Sequence, residues 1–195
     1  MALEIGRRLV HASGAAVPGV YLLDERVLET GLVTWSAVQT LAIVGLVVTA
    51  ILEAARLYGG LEHVIYDRLT REYEQDTVAG YALYVLGGTI TVFVFDPRVA
   101  VPALFMLTLA DPVSGMLSSG GLRPVARPRV LVGMFTVCVL LAAPFVPPVA
   151  AVAGAIGATI ADGVKPMVRG YVVDDNLTIP TVAAGAMWAA LNFVG

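Results

Sequence analysis

An all-α integral membrane protein, a single bundle of about seven transmembrane helices with its amino terminus in the cytoplasm, follows from three features of this 195-residue chain. Hydrophobic residues make up 58% of it and charged residues only 14%, against roughly 25% charged in a typical soluble domain. Long stretches carry no charge at all: Leu9–Leu23, Thr30–Leu52, Thr77–Phe95, Val130–Ala161 and Asn176–Gly195, with Val99–Leu122 interrupted only by Asp111. The basic residues fall almost entirely in alternate loops.

A helix needs about 17–25 apolar residues to cross a bilayer. The first span is expected over residues 7–23. Glu4, Arg7, Arg8 and His11 precede or enter it at helical spacing, as in an interfacial anchor whose arginines snorkel towards headgroups. The second span covers 31–55. Between Tyr58 and Thr77 the pattern suits an amphipathic surface helix, apolar at Leu61, Val64, Ile65, Tyr66 and Leu69 and charged at Arg68, Arg71, Glu72, Glu74 and Asp76. Spans three and four follow at 78–95 and 99–117. The Val130 run is long enough for two helices and is split by Pro144, Pro147 and Pro148, which gives spans at 128–143 and 148–164 joined by a tight turn. The last span lies at 177–194. One domain, 1–195, accounts for the whole length.

Counting alternate segments fixes the orientation. Arg7, Arg8, Arg56, Arg68, Arg71, Arg123, Arg127, Arg129, Lys165 and Arg169 share one side, leaving Arg26 and Arg98 on the other, out of 12 basic residues. Positive loops stay in the cytoplasm, so this side is expected to be cytoplasmic. A net charge of −3 gives no nucleic-acid footprint. The single cysteine, Cys138, cannot form an intramolecular disulfide and reads as a small packing residue. No cleavable signal is evident, because Pro18 breaks the region after His11 and Asp24 and Glu25 end it. The second half carries no copy of the first, which gives no support to an inverted-repeat transporter.

The polar residues gather on the cytoplasmic side. Asp111 is expected about two turns inside span four, where a carboxylate costs about 2.5–3.5 kcal/mol to insert and usually marks a functional pathway. Pro112 is expected to open the helix there. Ser114 and Gly115, then Ser118, Ser119, Gly120 and Gly121, lead to Arg123, Arg127 and Arg129. Exposed amides with arginines suit a polyphosphate. Asp162 repeats the buried carboxylate at the end of span six, with Lys165 and Arg169 after it. Asp174, Asp175 and Asn176 precede span seven. One of them suffices as an N-cap, and the excess offers hard oxygen ligands to Mg²⁺.

These motifs, in this order through most of the chain, resemble the polyprenol kinase group: dolichol kinases, phytol kinases and the CTP-dependent diacylglycerol kinases. The resemblance rests on Glu4-Ile5-Gly6-Arg7-Arg8-Leu9-Val10-His11, Arg71-Glu72-Tyr73-Glu74 with Gly80, Ala110-Asp111-Pro112-Val113-Ser114-Gly115, and, most specific, Asp174-Asp175-Asn176-Leu177-Thr178-Ile179-Pro180. It implies CTP as phosphate donor, Mg²⁺ as cofactor and an isoprenoid alcohol as acceptor. On that basis Asp111, Asp162, Asp174 and Asp175 are metal ligands. Arg7, Arg8, Ser114, Gly115, Gly120, Gly121, Arg127, Arg129, Lys165 and Asn176 bind the nucleotide. His11 or one of the aspartates, Asp111 and Asp175 foremost, accepts the hydroxyl proton. The chain departs from the group where a Lys-Ser/Thr-x-Glu-Gly segment is usual: it reads Arg129-Val130-Leu131-Val132-Gly133, without the glutamate. Asp162 also stands where glutamate is more common.

Two other readings remain. A CTP:lipid-phosphate cytidylyltransferase shares the setting but has a terminal Lys-Asp and Pro-Gly-His-Gly-Gly-like motif that is absent here. A small transporter could use intramembrane carboxylates as a proton relay, although these acids cluster towards one interface. Small size without added domains favours a prokaryotic plasma membrane. Oligomeric state and acceptor chain length are not encoded in any recognisable pattern.

Overall fold

The computed structural model describes residues 2–59, 77–118, 125–164, 167–168 and 171–194. Its described helices form seven rods. The first is α1 (Ala2–Ser13) followed by α2 (Ala16–Leu23) and a π turn at Asp24–Leu28. Then come α3 (Trp35–Tyr58) and α4 (Gly80–Val94). The fourth rod joins α5 (Pro97–Phe105), a π segment at Met106–Ala110 and α6 (Asp111–Leu117). Helices α7 (Pro128–Ala142), α8 (Pro148–Gly163) and α9 (Asp175–Phe193) complete the set. Two rods, Trp35–Tyr58 and Pro97–Leu117, are long and apolar enough to cross a membrane. The helix boundaries expected from the uncharged runs agree with these to within a few residues, apart from the first. A two-residue antiparallel ladder, β1 (Met167–Val168) with β2 (Tyr171–Val172), lies between α8 and α9 of this all-helical fold.

The expected first span is not one helix. Pro18 has no N–H to give the Gly14 carbonyl, and Val17 N bonds it instead at 3.2 Å. Gly14 N and Ala15 N likewise close three-residue turns onto His11 O and Ala12 O. The rod therefore kinks between α1 and α2. Tyr84 of α4 donates to the His11 carbonyl at this kink, at 3.1 Å. A Cβ on Gly14 would overlap the tyrosine hydroxyl, so the approach requires glycine.

Successive rods run antiparallel. At one end the Gln39 amide, near the start of α3, donates to Val92 O near the end of α4. At the other, Glu53 on the last turns of α3 meets the start of α4: it accepts from Ala79 N at 2.7 Å, from the Tyr81 hydroxyl, and from Arg56 Nη2 at 2.6 Å. The same Arg56 also donates to Thr77 O at 2.5 Å. A buried carboxylate with this many donors is a satisfied structural clamp.

The core is built on small residues. The inner face of α8 (Ala150, Ala151, Gly154, Ala155, Gly157 and Ala158) is buried against Ile179, Ala183, Ala184 and Met187 of α9. A Cβ on Gly157 would stand 3.2 Å from Val182 O, the close backbone approach that small residues permit. Met106, Leu107, Met134 and Cys138 fill the space beside this pair, all fully buried. By contrast α3 buries only Val38 and Glu53, and exposes Leu41, Ile43, Val44, Val47, Val48, Ile51 and Leu52.

Candidate functional site

Three rods meet with carboxylates at one end of the bundle. Asp111 opens α6, Asp162 lies one residue from the end of α8, and Asp175 opens α9. One ligand oxygen from each lies within 4.8 Å of the others. Asp162 and Asp175 are buried and Asp111 is 22% exposed. Carboxylates this close repel one another unless a cation or a proton lies among them. Local sequence explains their placement. The α8–α9 face of alanine and glycine brings those two rods close, while Asp174 accepts from Asn176 N at 2.9 Å and so starts α9 at Asp175.

The fourth rod carries the third carboxylate by an unusual turn. Pro112 does not open the helix as its chemistry suggests; the rod continues to Leu117 and is widened at Met106–Ala110 instead. Asp111 N donates to Met106 O, one residue beyond the α register. The Leu107 carbonyl therefore loses its α-helical donor, and its i+5 donor would be Pro112, which has no N–H. His11 Nε2 lies 2.8 Å from that carbonyl and fills the gap. A carbonyl oxygen only accepts, so Nε2 carries the proton in this arrangement. The same nitrogen lies 3.4 Å from Asp111 Oδ2. His11 also packs edge-on to Tyr84, ring centroids 4.6 Å apart. The π widening, the kink at Gly14 and the Asp111 carboxylate are thus one connected unit, and π segments of this kind often accompany functional sites.

Around the carboxylates, Ser114 donates to Asp162 Oδ2 at 2.5 Å. Gly115 lies under the Arg8 guanidinium, whose Nε would be 3.3 Å from a Cβ there. Arg127 is the N-cap residue of α7 and Arg129 lies in its first turn. The preceding strand-like residues, Val125 and Ala126, pair with Val164 and with Gly163 O, beside Asp162. Both arginines are therefore held at the carboxylate end. Three buried polar atoms have no hydrogen-bond partner among the described residues: Thr108 Oγ1, Thr159 Oγ1 and Asn176 Oδ1. Each belongs to a residue within three positions of one of the three aspartates.

Of the residues singled out from sequence, His11, Asp111, Ser114, Gly115, Asp162, Asp175, Asn176, Arg8, Arg127 and Arg129 gather at this end. One oxygen of Asp174 caps α9, accepting from both N and Nδ2 of Asn176, at 2.9 and 2.8 Å, and Asp174 is not among the three clustered carboxylates. Gly120, Gly121 and Lys165, the side chain of Arg7, and the amphipathic segment with Arg71 to Glu74 lie outside the described residues. Sequence reasoning missed Tyr84, the Leu107 carbonyl and Glu53. A glutamate three residues before an arginine at the end of an apolar run was the available signal for the last.

No protein-family model matches the chain, and neither a curated protein nor a solved structure shows significant similarity to it.

Proposed function

We propose that the chain is a multi-pass membrane kinase that transfers the terminal phosphate of a nucleoside triphosphate, by resemblance CTP, to an isoprenoid alcohol at the cytoplasmic face. The observation that carries this reading is the meeting of Asp111, Asp162 and Asp175 from three rods within 4.8 Å. Membrane embedding draws support from α3. Its exposed apolar side would be unfavourable in water at about 25 cal/mol per Å², but is ordinary against lipid.

The donor set fits Mg²⁺, which takes hard carboxylate oxygens together with phosphate oxygens and water. Mg²⁺ bound by Asp111, Asp162 and Asp175 would offset charge on the triphosphate. The unpartnered Asn176 oxygen is a further hard donor next to Asp175. Arg8, Arg127 and Arg129, with Arg7 and Lys165, supply the positive charge that a polyphosphate requires. The alcohol oxygen forms a bond to the terminal phosphorus while the bond to the bridging oxygen breaks, and the nucleoside diphosphate leaves. The hydroxyl proton goes to a carboxylate, Asp111 or Asp175, since His11 Nε2 already holds a proton on Leu107 O. His11 then positions Asp111 and its turn.

Purified protein in micelles, given CTP, Mg²⁺ and a panel of isoprenoid alcohols, is expected to form a lipid monophosphate. Asp111→Ala and Asp175→Ala are expected to abolish the product while the protein stays folded. Full activity in both variants would refute the assignment.

A further inference from the structure

The two basic residues that break the one-sided charge pattern come together at the end of the bundle opposite the aspartates. Arg26 lies in the π turn after α2, and Arg98 lies in the first turn of α5. Arg98 Nε donates to Phe145 O at 3.1 Å, and the Arg26 guanidinium stands 5.1 Å from the centroid of the Phe145 ring. Between them is a cavity of about 130 Å³ that Tyr21, Glu25 and Pro97 also line. The Tyr21 hydroxyl donates to Glu25 Oε1 at 2.8 Å and so orients the carboxylate. Tyr21 itself packs edge-on to Trp35, with ring centroids 5.1 Å apart.

One small pocket therefore offers two guanidiniums, one carboxylate and an aromatic wall. Guanidiniums bind phosphate oxygens through paired N–H donors. A carboxylate beside them suits a primary ammonium. An anionic headgroup brings no cation for Glu25, and a quaternary amine has no N–H to give it. Tyrosine and tryptophan favour the membrane–water boundary, and exposed Leu23 and Val27 flank the turn.

We propose that this pocket binds the zwitterionic headgroup of a phosphoethanolamine lipid, phosphate on Arg26 and Arg98 and ammonium on Glu25. The proposal rests on the membrane reading and is independent of phosphoryl transfer. The same chemistry is present in free phosphoethanolamine, so the test includes both sources.

Purified protein in neutral detergent is titrated with short-chain phosphatidylethanolamine, phosphatidylglycerol and phosphatidylcholine, and with free phosphoethanolamine, binding being read by tryptophan fluorescence. The ethanolamine lipid is expected to bind about threefold to fivefold more tightly than the other two, the scale of partly exposed ion pairs. Arg26→Gln is expected to weaken all three lipids by a similar factor and leave kinase activity unchanged. Glu25→Gln is expected to remove the preference for ethanolamine over choline. Equal binding of the three lipids by the unaltered protein overturns the proposal and needs no variant. Unchanged affinities in Arg26→Gln, or an unchanged preference for ethanolamine over choline in Glu25→Gln, also overturn it. Free phosphoethanolamine binding as tightly as the lipid overturns the lipid assignment. Alkaline carbonate extraction of native membranes separates the two levels. Release of the protein defeats the membrane reading itself, while retention without headgroup preference defeats only the pocket.

Discussion

Removing one charge from the aspartate cluster is expected to stabilise the protein without a divalent cation and to lose most of that advantage with one, and Asp162→Asn is the cleanest case. Two carboxylates at the 4.8 Å limit repel by about 3.5 kcal/mol at an effective dielectric constant near 20. The buried Asp162–Asp175 pair feels most of this. The pair with Asp111, which is 22% exposed, is screened to roughly half. Asp162 also sits at the carbonyl end of α8, which adds about 0.5 kcal/mol of unfavourable dipole. Against this, the substituted amide would lose the charge-assisted part of the Ser114 bond, about 1–2 kcal/mol. A proton shared among the carboxylates relieves part of this in chelator, so the net is a gain of at most about 3 kcal/mol, or a melting shift of up to roughly +8 °C for a chain of this length. In saturating Mg²⁺ the unaltered protein gains about 2.7 kcal/mol at a hundredfold excess over Kd, and the variant loses most of that response. The assay is thermal unfolding in micelles of both proteins, each with EDTA and with Mg²⁺. An unaltered protein indifferent to Mg²⁺, together with a variant less stable than it in EDTA, would refute the reasoning.

Three further outcomes follow from the packing. Glu53→Ala leaves Arg56 and Ala79 N without their buried acceptor and is expected to cost about 3 kcal/mol, measured as a drop in the same melting curve; Glu53→Gln is expected to cost less. Gly14→Ala forces the Tyr84 hydroxyl off the His11 carbonyl and is expected to cost about 1–3 kcal/mol, with partial recovery in the Gly14→Ala/Tyr84→Leu double variant. Asp24 lies in the loop opposite the aspartates, where the Thr30 hydroxyl, then Val33 N, hold its carboxyl below the usual carboxylate range. A depressed folded-state value means the stabilisation is present above the unfolded value near 3.9 and is lost as pH falls through the folded one. Melting temperatures of the unaltered protein and Asp24→Asn are therefore expected to differ at pH 7 and to converge as pH falls through the depressed folded-state value.

The helical rods were legible because uncharged runs of spanning length admit few alternatives, and the three prolines near 144–148 marked the turn between α7 and α8. Asp111, Asp162 and Asp175 were legible as a group because alternation of helix direction puts them at one end. The kink after Ser13 was not, because it depends on Val17 N taking the Gly14 carbonyl that Pro18 cannot reach and on Tyr84 arriving at the His11 carbonyl. Pro112 reads as a break, yet its cost is met by one widened turn and by His11, which reaches the Leu107 carbonyl from 96 residues away in sequence. Glu53 escaped notice because its partners Ala79 and Tyr81 lie beyond the intervening loop. Local pattern names the elements, whereas satisfaction of buried polar groups is settled only by tertiary neighbours.

The most direct measurement is the fate of label from CTP carrying it on either the α or the γ phosphorus, with Mg²⁺ and an isoprenoid alcohol or its monophosphate. Phosphoryl transfer predicts γ label in the lipid, α label in CDP, and loss of both on chelation or in Asp111→Asn. Recovery of α label in a CDP-lipid with pyrophosphate released, or no lipid labelling from any nucleoside triphosphate, would contradict it.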